Sequence, residues 1–200
     1  MVKSKLPTLP QIKKWMTEIA LEHNIKKQVA NTWKHSTVVW RFADKVAGIA
    51  EKNGYRVDRR LLKVGIYCHD IGRMVVGSKG SKELGPAIGH LYEGYRIMKA
   101  KGYPQLARIC ITHAGGGGLD KLTNKQHGFI ARNFYPRTTE EKIIAYADAI
   151  TLYKKGTGPF IPYVGAYKQA YDRFKKYRGH GKQLKEAHEF IEKITKGAIQ

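Results

Sequence analysis

Two hundred residues, 42% of them hydrophobic, make a chain long enough for one domain with a proper core and too apolar for a disordered one. No apolar run approaches the roughly 20 residues that cross a bilayer, and Met1 to Trp15 lacks the apolar stretch of an export signal, so the expectation is a cytoplasmic protein with no membrane partner. The charge is lopsided, 37 Lys and Arg against 16 Asp and Glu for a net +21, and the excess at residues 1–34 and 154–200 suits phosphorylated or polyanionic partners as well as it suits a solvated surface.

In chain order, Thr8 to Gln11 is a capping-box pattern with Pro10 in the first turn, predicting a helix to about His23. From Ile25 to Asn53 apolar residues recur at helical spacing (Val29, Trp33, Val39, Phe42, Val46, Ile49), and Asn53-Gly54 ends the run. Asp58 caps a helix reaching Asp70 and stopped by Gly72. Pro86 opens another that closes near Gly102, and Pro104 opens the next, ending at the glycine run 115–118, which reads as a flexible break because it lacks the Lys-Ser/Thr of a phosphate loop. Thr123 to Gln126 predicts a short helix, and Thr138 to Glu141 a strong one through Lys155. After a loop from Gly156 to Pro162, two more helices are expected, about Tyr163–Tyr177 and Lys182–Lys196. No alternating strand pattern is evident. The expectation is an all-α helical bundle over 1–155, with 156–200 a basic, aromatic-rich helical extension or part of the same domain.

Cys68 and Cys110 lie in apolar stretches and read as buried, reduced residues. Four histidines, His35, His69, His90 and His113, fall within or at the ends of separate helical stretches. Asp70 adjoins His69, and Asp148 sits among alanines in a good helix former. Such a carboxylate is costly to bury unpaired, and helical bundles hold metals with ligands projecting inward from several helices. Gly94, one turn after His90, admits a close approach of backbone or ligand. Arg73, directly after His69-Asp70-Ile71-Gly72, can reach a phosphate. Lys79, Lys82 and Lys155 are lesser candidates at the rim. Tyr163, Tyr167, Tyr171, Phe174 and Tyr177, interleaved with basic residues, read either as core or as a base-stacking face for nucleic acid.

The order His35, His69-Asp70, His90, His113, Asp148, with the string His69-Asp70-Ile71-Gly72, resembles the HD-domain superfamily of metal-dependent phosphohydrolases from about Val29 to Lys155. Tyr135 to Ile143, followed by Tyr146-Ala147-Asp148, is similar to a small archaeal branch of HDIG-type proteins. His90 and His113 make the chain similar to a two-metal branch that includes symmetrical dinucleoside-polyphosphate hydrolases. The resemblance implies that His35, His69, Asp70 and Asp148 hold one ion, that Asp70 bridges to a second held by His90 and His113, and that Asp70 and Arg73 serve catalysis. Ala149 departs from the branch, where a polar residue often follows the Asp. Mixed imidazole and carboxylate ligands suit one or two divalent ions of Mn, Fe, Co, Ni or Zn. The expected activity is hydrolysis of a nucleotide-like phosphoester or phosphoanhydride by metal-activated water. The alternative is a basic nucleic-acid-binding protein with a structural or vestigial metal centre, binding through the C-terminal segment.

Overall fold

The computed structural model describes residues 6–77, 88–154, 161–177 and 179–199. Lys79, Lys82, Pro86, Lys155 and Gly156 lie outside them. The architecture is helical with one small sheet. In α1 (Leu9–Glu22), Thr8 Oγ1 accepts the N–H of Gln11, and Pro10 sits where a missing N–H costs nothing. The spine is α2 (Lys27–Lys52), whose buried positions Thr32, His35, Ser36, Val39, Ala43, Val46, Ala47 and Ala50 follow one helical face. In α3 (Arg59–Cys68), Asp58 Oδ1 accepts from Leu61 N. A turn then carries the chain through His69 to Gly72 into α4 (Arg73–Val76). The antiparallel pair α5 (Gly89–Ala100) and α6 (Pro104–Thr112) turns at Gly102, which has φ +80°.

The glycine run after His113 is a seat rather than a flexible break. Residues 114–118 are buried. A Cβ on Gly115 would come 2.0 Å from His180 Nδ1, and one on Gly117 2.2 Å from Gln183 Cβ. The run is bare so that α10 (His180–Thr195) can lie directly on backbone. α7 (Lys121–Gln126) begins earlier than Thr123–Gln126 predicts, because Asp120 Oδ1 takes the N–H of Thr123 and caps the helix first.

α8 (Thr139–Ile150) opens on Thr138 as expected but stops before Lys155. Thr151–Tyr153 form β1, paired antiparallel with β2 (Pro162–Val164) in the register Thr151 to Val164, Leu152 to Tyr163, Tyr153 to Pro162. The Ile150 carbonyl left over by the helix accepts from Gly165 N, and the Thr151 hydroxyl bonds back to the Ala147 carbonyl. The expectation of no strands is corrected on this small scale. Tyr163 therefore sits in a strand, while Tyr167, Tyr171 and Phe174, of or beside α9 (Tyr167–Phe174), pack against the main core. That core also takes Leu184, Ile191 and Ile194 of α10 together with side chains of α1, α2, α3, α6 and α8. Cys68 and Cys110 are buried and unbridged, their Sγ atoms 3.8 Å apart. Among the described residues no helix is long and apolar enough to cross a membrane.

Candidate metal centre

The structure brings all six residues of the ordered His and Asp set together. His35 projects from the middle of α2, His90 from the first turn of α5 and Asp148 from the last turn of α8. His69 and His113 occupy the positions just past α3 and α6, with Asp70 in the turn that follows His69. Helix C-termini leave carbonyls without helical partners, and both rings use one: His69 Nδ1 lies 2.6 Å from the Ile66 carbonyl and His113 Nδ1 3.3 Å from that of Ile109. A carbonyl only accepts, so each Nδ1 carries a proton and each Nε2 is left facing the carboxylates, where it could serve as a ligand atom.

Asp148 Oδ1 lies 2.9 Å from His35 Nε2 and 3.5 Å from His69 Nε2. Asp70 Oδ2 takes the Nε–H of Arg73 at 2.6 Å, while Oδ1 faces His90 Nε2 at 3.0 Å and His113 Nε2 at 3.6 Å. Among the described residues two triplets could hold an ion, His35 with His69 and Asp148, and His69 with Asp70 and His113; within each triplet the candidate ligand atoms lie within 4.8 Å of one another. His69 is common to both. His90 sits beside the second, its Nε2 3.2 Å from His113 Nε2. Two deeply buried atoms, His69 Nε2 and Asp70 Oδ1, have no aligned hydrogen-bond partner. Burying such atoms unpaired is costly, and a divalent cation satisfies both. The donor set therefore fits a metal.

Electrostatics support that fit. Burial pushes both carboxyls toward neutrality, yet Arg73, His69 and His90 hold Asp70, and His35 and His69 hold Asp148, well below the usual carboxylate range. Burial disfavours charge on His69 too, but Asp70 and Asp148 raise its pKa to about 9. Burial and then the Arg73 charge take His90 down to about 4. Arg73 keeps 24% of its side chain exposed, enough to present donors at the edge of the centre.

Two glycines and an alanine set the spacing. A Cβ on Gly72 would fall 1.9 Å from the His90 carbonyl oxygen and 2.5 Å from Gly94 N, so the His69-Asp70 turn and α5 meet backbone to backbone, as Gly94 suggests. Ala149 is small because its Cβ faces Gly116, where an added Cβ would lie 3.3 Å away. Sequence reasoning missed Tyr153, whose hydroxyl lies 2.8 Å from His35 Nδ1. No local pattern marks it, because what turns Tyr153 toward α2 is the pairing of β1 with β2.

The family model of the HD domain matches residues 32–152. An uncharacterized protein, MJ0778, of Methanocaldococcus jannaschii is 34% identical over 119 residues, 59% of this chain and 64% of that one. A tRNA (cytidine(56)-2'-O)-methyltransferase of Picrophilus torridus is 31% identical over 116 residues, 58% of this chain and 30% of that protein. The chain thus spans under two thirds of the length of either curated relative. Among solved structures, the HD domain of the L. monocytogenes phosphodiesterase PgpH aligns with a TM-score of 0.52 at 18% identity, covering 92% of this chain and 94% of that one, a likeness of fold.

Proposed function

Because the chain belongs to the HD-domain family, we propose that it is a metal-dependent phosphohydrolase acting on a phosphoester or phosphoanhydride of a nucleotide-like substrate. The observation that carries this reading is the convergence of His35, His69, Asp70, His90, His113 and Asp148, with His69 Nε2 and Asp70 Oδ1 buried without an aligned hydrogen bond. A divalent ion bound there would lower the pKa of a bound water toward neutrality and supply hydroxide as the nucleophile. His35, His69 and Asp148 would hold one ion and His90 and His113 a second, with Asp70 shared between them. The chain's own contributions are positional. Arg73 fixes Oδ2 of Asp70, which lies on the side of His35 and His69, so Oδ1 faces His90 and His113. Its guanidinium, planar and permanently charged, is suited to hold a phosphoryl oxygen at the mouth of the centre.

The Picrophilus torridus relative is named for a reaction on tRNA, and this chain carries a net charge of +21, so RNA belongs among the substrates tried. The test is a panel of mono-, di- and cyclic nucleotides, polyphosphates and short RNA, each assayed with Mn, Fe, Co, Ni and Mg separately. Metal-dependent turnover of a nucleotide, abolished in His69→Ala, is the expected result. Salt-steep RNA binding without turnover under any metal would replace the hydrolase with a binding protein.

A further inference from the structure

One short piece of chain holds His35 at both ring nitrogens. Asp148 Oδ1 lies 2.9 Å from Nε2, and the hydroxyl of Tyr153, five residues on, lies 2.8 Å from Nδ1. The change from α8 to β1 makes this possible. A helix continued past Ile150 would place residue 153 about 140° around the axis from Asp148. The strand turns Tyr153 back toward α2 instead, and its pairing with Pro162 of β2 keeps it there.

His69 and His113 differ in their partner. Each places Nδ1 against a backbone carbonyl, which only accepts and so commits the ring to one tautomer. A tyrosine hydroxyl both donates and accepts. Burial, then the charges of Asp70 and Asp148, push the ionisation of Tyr153 far above its ordinary value, so the hydroxyl keeps its proton.

We propose that Tyr153 is a positioning residue that supports His35 in both neutral tautomers, and that His35 exchanges one for the other as the centre takes up an ion. Without an ion, the Tyr153 O–H donates to Nδ1, and the Nε2–H donates to Asp148. With an ion on Nε2, the imidazole proton sits on Nδ1 and donates to the tyrosine oxygen. Nε2 gives up one proton and Nδ1 gains one, so the ring changes role without changing charge. His69 and His113 are committed ligands, and His35 is the adaptable one. This rests on the metal-centre reading above.

Nitrogen-15 NMR of the histidines, with zinc as a diamagnetic ion, tests it together with zinc titration of the Tyr153→Phe chain, which keeps the ring and loses the oxygen. In the unaltered protein His35 should carry its proton on Nε2 before zinc and on Nδ1 after, while His69 keeps its Nδ1 proton throughout. Tyr153→Phe should bind zinc about 10–100-fold more weakly, the usual cost of losing a ligand's outer partner, with its circular dichroism unchanged. The same substitution in a His35→Gln background should cost nothing further. A His35 protonated on Nδ1 both with and without zinc, or a Tyr153→Phe chain that binds zinc as tightly as the unaltered one, overturns the exchange and leaves the metal centre standing. Unaltered protein that takes up no zinc overturns the metal centre and the inference with it.

Discussion

One helix, α8, carries two buried polar clusters, at Glu141 and, seven residues on, at Asp148. Glu141 is 5% exposed and fully served: Arg108 donates Nε–H and Nη2–H to its two oxygens at 2.7 and 3.0 Å, and the Arg137 backbone N–H adds a bond at 2.6 Å. Burial raises its pKa, but those bonds more than offset this and lower it. The position in the first helical turn also favours a negative charge. At the other end, Asp148 and Asp70 sit among four imidazoles, and two buried atoms remain without an aligned partner. Both clusters fold the chain onto itself. One is complete within the protein, and the other leaves two buried atoms that a divalent ion would satisfy.

The largest effect expected would erase the comparison by melting both clusters. We propose that residues 161–199 belong to the same domain as the centre, since Leu184, Ile191 and Ile194 of α10 are buried in the main core. A chain ending at residue 155 should then lose its cooperative thermal transition and its metal binding together, as read by circular dichroism and metal analysis. A truncated chain that still melts cooperatively and binds metal would make the C-terminal part a true appendage.

Asp70→Ala should break one cluster and spare the other. Activity should fall by well over about 100-fold, beyond the cost of losing an outer partner, and metal content per chain should drop toward zero. The thermal midpoint of the metal-free chain should fall as well, because Arg73 and the histidines hold the Asp70 carboxyl well below its usual range and its loss leaves their charge uncompensated. His90→Ala and His113→Ala should each leave about one ion, and a protein that never holds more than one ion would dismiss the second position. Glu141→Gln should touch stability alone: a loss of about 3 kcal/mol from the broken ion pair, measured by denaturant unfolding, with metal affinity and turnover within about twofold of the unaltered chain.

The smallest effect is a pH dependence confined to the incomplete cluster. In the metal-free chain the pKa of His69 is raised from 6.5 to about 9. Its stabilising contribution is therefore fully present below pH 6.5 and is lost as pH rises through 9. The thermal midpoint of the metal-free protein should fall across that window. The metal-loaded protein, whose ion replaces the proton on Nε2, should lack this fall, and so should a metal-free His69→Asn chain. An identical slope with and without metal would remove His69 from the ligand set.

Much of this arrangement is legible in the sequence where the cause is local. Thr8, Asp58 and Thr138 cap the helices they announce, because a side-chain oxygen two or three residues from an N–H acts without the rest of the fold. The order of the six candidate ligands is legible because each sits on or beside a recognisable helix. The end of α8 is not, since the group that donates to the Ile150 carbonyl is the N–H of Gly165, just past β2. The glycine run at 115–118 misleads for the same reason: what makes it bare is His180 and Gln183, more than sixty residues later. Tyr153 is invisible until β1 exists.

The two bonds to His35 join residues 113 and 118 positions apart. A ribosome adding about 5–20 residues per second needs on the order of ten seconds to make the chain between them. During that interval His35 has His69 and Asp70 to meet but not Asp148, and contacts of such long sequence separation are slow to close. An ion held by His35 and Asp148 together would have to wait for that whole span, so the centre could not be completed while the ribosome had made only α2 through α6.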